Sequence, residues 1–280
     1  MEASREIVRF DDLSPYLFLQ NGNFLYKVPF RGGWAMLKVY YGSRGWWGCV
    51  RKSFGNVVLH GQTSYMPLTR CRVEGECMRL WRAHGFRVFD MYDEVEVVAP
   101  GCHPGGHRLM EFREAPKLIR YLCDESLPAD ERFGLYRRFL VDWGRRHEIA
   151  IAERDPRLVH ENGDGKHVML VDGGFLWFDF EMAYRSSSRI EDYVSHEIVQ
   201  YVWHTMRTLP ESRRDRFLEE TIAGYPSRER LDRAYRYLFR HPNLLHRVAR
   251  SIHRLLRPGA RKATSKYNAI VRLYEKLERR

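Results

Sequence analysis

No stretch of this 280-residue chain comes near the run of about 18 apolar residues that a membrane-crossing helix needs. The opening residues, Met1-Glu2-Ala3-Ser4-Arg5-Glu6, carry acids where a secretory leader carries an apolar core, so no signal peptide is expected. Cysteine is sparse. Cys49, Cys71, Cys77, Cys102 and Cys123 are odd in number and scattered, which argues against a disulfide framework and reads as reduced cytosolic thiols. Internal repeats and low-complexity linkers are lacking too, which excludes solenoids and arrays. What remains, 44% hydrophobic and 30% charged, is ordinary for one or two globular domains able to bury a core without staples.

Acid is what the C-terminal end has little of. Residues 227–280 hold 16 Lys/Arg against 4 Asp/Glu, a local charge of +12, and the rest of the chain comes to −1. A surface this basic attracts polyanions such as nucleic acid, anionic lipid or phosphorylated glycan, or is simply a solvated helical face. A helix is expected at 244–257, with Leu245, Val248, Ile252 and Leu255/Leu256 in one stripe. Arg250, Arg254 and Arg257 line another face, with Arg247 nearby. This fits a helix packed on the protein with its basic face outward, and it also fits a helix lying on anionic lipid. Without a recognisable RNA-binding strand, a nucleic-acid partner has only the tail to recommend it.

Short aromatic and β-branched runs fill 16–41. Turns at Asn21-Gly22-Asn23 and Arg31-Gly32-Gly33 divide them into an antiparallel meander. The glycines and Trp46-Trp47 of 42–66 suggest a loop or irregular insert. Beside Arg44, Arg51 and Lys52, the tryptophans fit either a membrane interface or packing on the protein. A helix follows at 69–83, ended by Gly85, then strands at 86–99 and 107–112. The Cys102–His107 segment between them reads as a turn rather than a metal site. Beyond this the chain is mainly helical. Phe133, Tyr136, Leu140, Trp143, His147 and Ala150 recur at helical spacing, as do Val194, Ile198, Tyr201, Val202 and Met206.

Four features fall in a fixed order. Lys38 sits between apolar strand neighbours. Glu76 lies on the next helix. His160-Glu161-Asn162-Gly163-Asp164-Gly165-Lys166-His167 precedes an apolar strand, and Asp179-Phe180-Glu181 follows another. Together they resemble the protein-kinase-like fold, with its strand lysine, helix glutamate, catalytic loop and metal-binding aspartate. Within it, the histidine at 167 is similar to the pattern of the lipopolysaccharide core (Kdo/heptose) kinase family. The Asp-Phe-Glu form also occurs in choline-kinase-like and aminoglycoside-phosphotransferase-like enzymes.

The resemblance covers roughly 14–210 and implies an α+β fold. A β-rich N-lobe would span 1–113, and a helical C-lobe with a basic tail 114–280. It implies ATP and Mg²⁺ as cofactors. Lys38, paired with Glu76, would meet the phosphates, and Gly22 would let backbone approach them. Glu111 and Phe112 would form the connector whose backbone pairs with adenine, and Asp179 and His167 would hold the metal. His160, Asn162 and Asp164 would belong to the catalytic loop. Asn162 stands where protein kinases place the catalytic aspartate. An amide orients a hydroxyl but takes no proton from it, so Asp164 is the carboxylate left for that work. Asp192 looks like an aspartate bracing the loop. The implied acceptor is a sugar hydroxyl of an anionic glycolipid at the cytoplasmic face of a membrane. A small-molecule phosphotransferase and a catalytically silent kinase-like scaffold remain the alternatives.

Overall fold

The computed structural model describes residues 6–41, 45–241, 244–256, 259, 262 and 264–279. The residues before 6, Gly42 of the 42–66 insert, and Arg44 and Arg257 named above lie outside them, as do the side chains of Leu245 and Arg254. The chain divides into two units, 1–115 with 176–185, and 116–175 with 186–280. The first is rich in strands and the second in helices, an α+β organisation.

In the first unit, β1 (Glu6–Arg9) is followed by β2 (Leu17–Gln20), β3 (Phe24–Phe30) and β4 (Gly33–Val39). Arg31 and Gly32 join β3 to β4 with φ of +46° and +76°. This two-residue turn twists with the strands it connects. After β4 comes α1 (Trp46–Phe54), then a π-helical stretch at Gly55–His60 closed by Gly61 at φ +65°. The insert is therefore helical rather than irregular. Its glycines sit mostly at the edges of the helix, and only Gly48 falls inside it. Trp46, Trp47 and Phe54 stand exposed, so the tryptophans do not pack inward.

The unit continues with α2 (Pro67–Ala83), β5 (Arg87–Val88), β6 (Val95–Val98) and β7 (His107–Glu111). The main sheet runs β2-β3-β4-β7, all antiparallel, and β1 pairs with β6 in parallel. Side chains alternate across a strand, so Ala35, Leu37 and Val39 of β4 share one face. They join Val28, Phe30, Leu109 and Leu13 in the core. The same alternation sends Lys38, and Tyr40 just past the strand, to the opposite face, where α2 lies. Gly75 lets α2 come close, because a Cβ there would collide with the guanidinium of Arg108 on β7.

The second unit opens with α3 (Leu118–Cys123) and the long α4 (Ala129–Glu153). After β8 (Val168–Val171), the strand β9 (Gly174–Trp177) begins in this unit and ends in the first. Then come α5 (Ile190–Thr208), α6 (Glu211–Gly224), α7 (Arg228–Phe239), α8 (Leu244–Leu256) and α9 (Lys266–Glu278). α5 is the hub, packed against α4, α6, α7 and α9. The apolar stripe of α4 stacks Phe139 on Trp143 and buries both. The stripe of α8 behaves otherwise. Val248, Ile252, Leu255 and Leu256 are exposed, which overturns the reading of a basic face outward and an apolar face packed. Among the described residues no helix is long and apolar enough to cross a membrane.

Candidate active site

Lys38 Nζ lies 2.8 Å from Glu74 Oε2, 2.8 Å from Glu181 Oε1 and 3.9 Å from Asp179 Oδ1. The helix partner of Lys38 is therefore Glu74, not Glu76. Two residues along a helix turn the side chain by about 200°, so only one of the two can face the sheet. Glu76 faces outward and pairs with Arg72 at 3.1 Å. Glu74 also accepts a hydrogen bond from the buried Tyr40 hydroxyl. Burial opposes the charge on Lys38, but Glu181, Glu74 and Asp179 outweigh it and hold its pKa well above the ordinary lysine value.

Glu181 joins the Lys38 cluster to the turn that begins β3. Besides Lys38 it meets Arg70 Nη1 at 2.9 Å and accepts from the Asn23 side-chain amide. Arg70 in turn donates to Asn23 Oδ1 and to the Tyr40 carbonyl. Burial pushes the Glu181 carboxyl up, but Lys38 and Arg70 pull it down to about 2. Gly22, in the same turn, has φ +75°, and a Cβ there would press within 3.1 Å of the Tyr65 hydroxyl. Asp179 also sits at positive φ, +75°, a strained angle for a residue with a Cβ. About a third of its side chain is exposed.

The expected connector is altered in one respect. The Glu111 backbone N–H is committed to Asp90 O at 2.8 Å, and its carboxylate to Arg113 and the Asp90 N–H. That N–H cannot pair with a base edge without giving up its bond to Asp90. The Phe112 ring packs edge-on against Phe18 at 5.8 Å and lies under Lys27 Nζ at 4.3 Å.

In the second unit, the loop from His160 to His167 is built around Glu197 of α5. Glu197 Oε2 accepts from the His160 N–H at 2.9 Å, and the carboxylate also meets Arg146, His147 and Trp143 Nε1. Asp192 does not brace this loop. It lies in the first turn of α5, 3.2 Å from His241 and 3.9 Å from Arg189. Within the loop, His167 Nδ1 lies 2.9 Å from Asn162 O. Burial lowers the His167 pKa to about 4, so the ring is neutral near pH 7, with its proton on Nδ1 and its lone pair on Nε2. It stacks on His160, which is buried and whose Nδ1 accepts from the Asn162 N–H at 3.3 Å. Asp164 caps the short turn at 165–167 by accepting from Lys166 N, and it pairs with Lys166 Nζ at 3.4 Å and has His204 Nδ1 3.6 Å away.

Arg70, Glu74 and Glu197 escaped the sequence reading, although two of them left a trace. Arg70 is a cation in the first turn of α2, where the helix dipole disfavours it, so it must answer to a carboxylate elsewhere. Glu197 is an acid within the apolar stripe Val194-Ile198-Tyr201, and a carboxylate there needs buried bases. Among the described residues no cluster of three His, Cys, Asp or Glu side chains could hold a metal by itself. Asp179 and Glu181 do fit a hard cation that takes one or two carboxylates and completes its shell with phosphate oxygens and water.

No protein-family model matches the chain, and no curated protein matches it. Among solved structures it is similar to the amicoumacin kinase hAmiN in complex with AMP-PNP, Ca²⁺ and Ami. Identity is 12%, the match covers 94% of this chain and 87% of that one, and the TM-score is 0.40. It is also similar to WaaP in complex with acyl carrier protein, at 12% identity, the same coverage and a TM-score of 0.36.

Proposed function

We propose that this protein is an ATP-dependent phosphotransferase of protein-kinase-like type. The observation that carries the reading is the buried Lys38–Glu74 pair with Asp179 and Glu181 beside it. Phosphoryl transfer asks a protein mainly for positioning and charge stabilisation. A lysine fixed by a helix carboxylate, next to an accessible aspartate, meets that need. Lys38 takes the phosphate oxygens, and the Gly22–Asn23 turn brings backbone to them. Phe112 supplies the connector backbone for the base. Asp179, with Glu181 beside Lys38, would hold the cation. Mg²⁺, when bound, neutralises phosphate charge. Asn162 orients the acceptor hydroxyl, Asp164 takes its proton, and His160 holds the loop to Glu197.

The acceptor we favour is a sugar hydroxyl on an anionic glycolipid, such as lipopolysaccharide core, met at the cytoplasmic face of a membrane. The +12 tail supports it, since such a surface concentrates phosphorylated, membrane-borne substrates. One observation favours a second reading, a kinase-like protein that binds nucleotide without turnover. Asn162 has no carboxylate, and that of Asp164 is already engaged as a turn cap and with Lys166.

Calorimetry with Mg·ATP tests the first step. Binding that requires Mg²⁺ and is lost in Asp179→Ala supports the nucleotide site, and absence of binding at millimolar nucleotide rejects it. Phosphate release with an acceptor, abolished by Asp164→Asn, then separates turnover from silent binding.

A further inference from the structure

Helix α8 is mounted against expectation. Val248, Ile252, Leu255 and Leu256 follow the spacing i, i+4, i+7, i+8 and so share one face. They are 46%, 48%, 64% and 75% exposed. The helix is held to the protein by its other side. The Arg250 guanidinium lies 3.9 Å from the centre of the Tyr237 ring of α7, and the Arg250 carbonyl accepts from the Tyr267 hydroxyl of α9 at 3.4 Å. An amphipathic helix in water ordinarily buries its apolar stripe and shows its charges. This one anchors an arginine inward and presents its aliphatic side chains outward.

The surroundings say what covers that face. Between Asp232 and Glu275 the chain has no acidic residue and eleven Lys/Arg, among them Arg247, which is exposed beside Val248. A second copy of the chain is a poor occupant. Four aliphatic side chains fall well short of the roughly 800 Å² per partner of a stable interface, and two such tails repel each other. A nucleic acid has no use for an aliphatic stripe, and α8 carries no Phe, Tyr or Trp for a base to stack on. An anionic bilayer satisfies both halves at once. Its acyl boundary takes the aliphatic row and its headgroups take the arginines, as for helices that lie in the plane of a membrane.

We propose that α8 docks the protein on anionic membranes, with Val248, Ile252, Leu255 and Leu256 inserted at the acyl boundary. This deepens the membrane-side reading of the function, yet it rests on α8 alone and is tested without nucleotide. The full chain is sedimented with vesicles of phosphatidylcholine, with and without phosphatidylglycerol. The expected result is binding only to the anionic vesicles, weakened by added salt. The double variant Leu255→Ser/Leu256→Ser should lose at least about tenfold in affinity, since two leucines leave the membrane phase. Arg247→Glu should lose a smaller factor and much of the salt dependence.

These side chains are exposed, so the variants should melt with the parent and bind Mg·ATP as it does. No binding to anionic vesicles at low salt overturns the proposal. So does equal binding by the leucine double variant, which would place the contact elsewhere. A parent that runs as a dimer, with a monomeric leucine variant, also overturns it in favour of self-association. Vesicle binding by a chain that ignores ATP keeps this inference and rejects the nucleotide site.

Discussion

Glu181 and Glu197 are the same residue in closely similar company, one in each unit. Each is held by an arginine, Arg70 or Arg146, and by a second base, Lys38 or His147. Burial raises both carboxyls, and the facing bases pull both below the ordinary glutamate value. The difference is access. Glu197 is 0% exposed and accepts from five donors, two of them on Arg146 and the others on Trp143, His147 and the His160 backbone. A carboxylate has about four lone-pair sites, so Glu197 is saturated and nothing can be added to it. Glu181 keeps 14% of its side chain exposed, next to an Asp179 that is a third exposed. The comparison separates a carboxylate that builds a loop from one that can meet a ligand, and composition or charge pairing alone would not have separated them.

The largest expected effect lies on the saturated side. Glu197→Gln strands Arg146 in the core without its countercharge, and stability should fall by about 3–5 kcal/mol, read by urea denaturation. A loss below 1 kcal/mol would show that water reaches Arg146 and would erase the contrast.

Acid should find the second unit first. His147, buried between Glu197 and Tyr225, and His167 are both held near pKa 4 against an ordinary 6.5, chiefly by burial. The unfolded chain takes up these protons first. The stability they lend is therefore complete above pH 6.5 and drains as pH falls to about 4, by a few kcal/mol in all. For Glu181 the fall comes later, between its ordinary 4.5 and about 2. Melting followed across pH 7 to 4, with His147→Phe flattening the slope, checks the order.

Glu181→Gln should cost about 1–3 kcal/mol, because water can reach the site, but it should change the affinity for Mg·ATP in calorimetry while Glu197 variants that remain folded do not. The smallest effect belongs to Glu76→Ala. Its pair with Arg72 is a surface i,i+4 pair, worth about 0.5 kcal/mol or less. Glu74→Ala, which strips the buried Tyr40 hydroxyl of its acceptor and Lys38 of one of its carboxylates, should cost several times more in the same melts.

The strands, the long helices and the position of Lys38 were legible because period two and period 3.6 are local properties of the chain. Lys38 could be placed on the face away from Leu37 by counting. Its partner could not. Glu74 or Glu76 is chosen by how α2 lies on the sheet, and that depends on Gly75 admitting Arg108 from β7, thirty-three residues away. The helix α1 was hidden by glycines at its edges, and the outward face of α8 by the general rule that apolar stripes turn inward. The loop residues His160, Asn162, Asp164 and His167 were found as a cluster, but their bracing by Glu197 was sought one and a half turns too early, at Asp192.

Asp179 occupies a backbone angle that glycine adopts without strain and that costs a residue with a Cβ about 1–2 kcal/mol. With Asp179→Gly the chain would shed that strain, but Lys38 would lose one of its carboxylates and the proposed cation one of its ligands. Relief of backbone strain and the proposed cation binding therefore pull in opposite directions at this one position. A directed-evolution screen that rewards relief of that strain alone should drift toward glycine there, and it would return a chain without the proposed cation ligand.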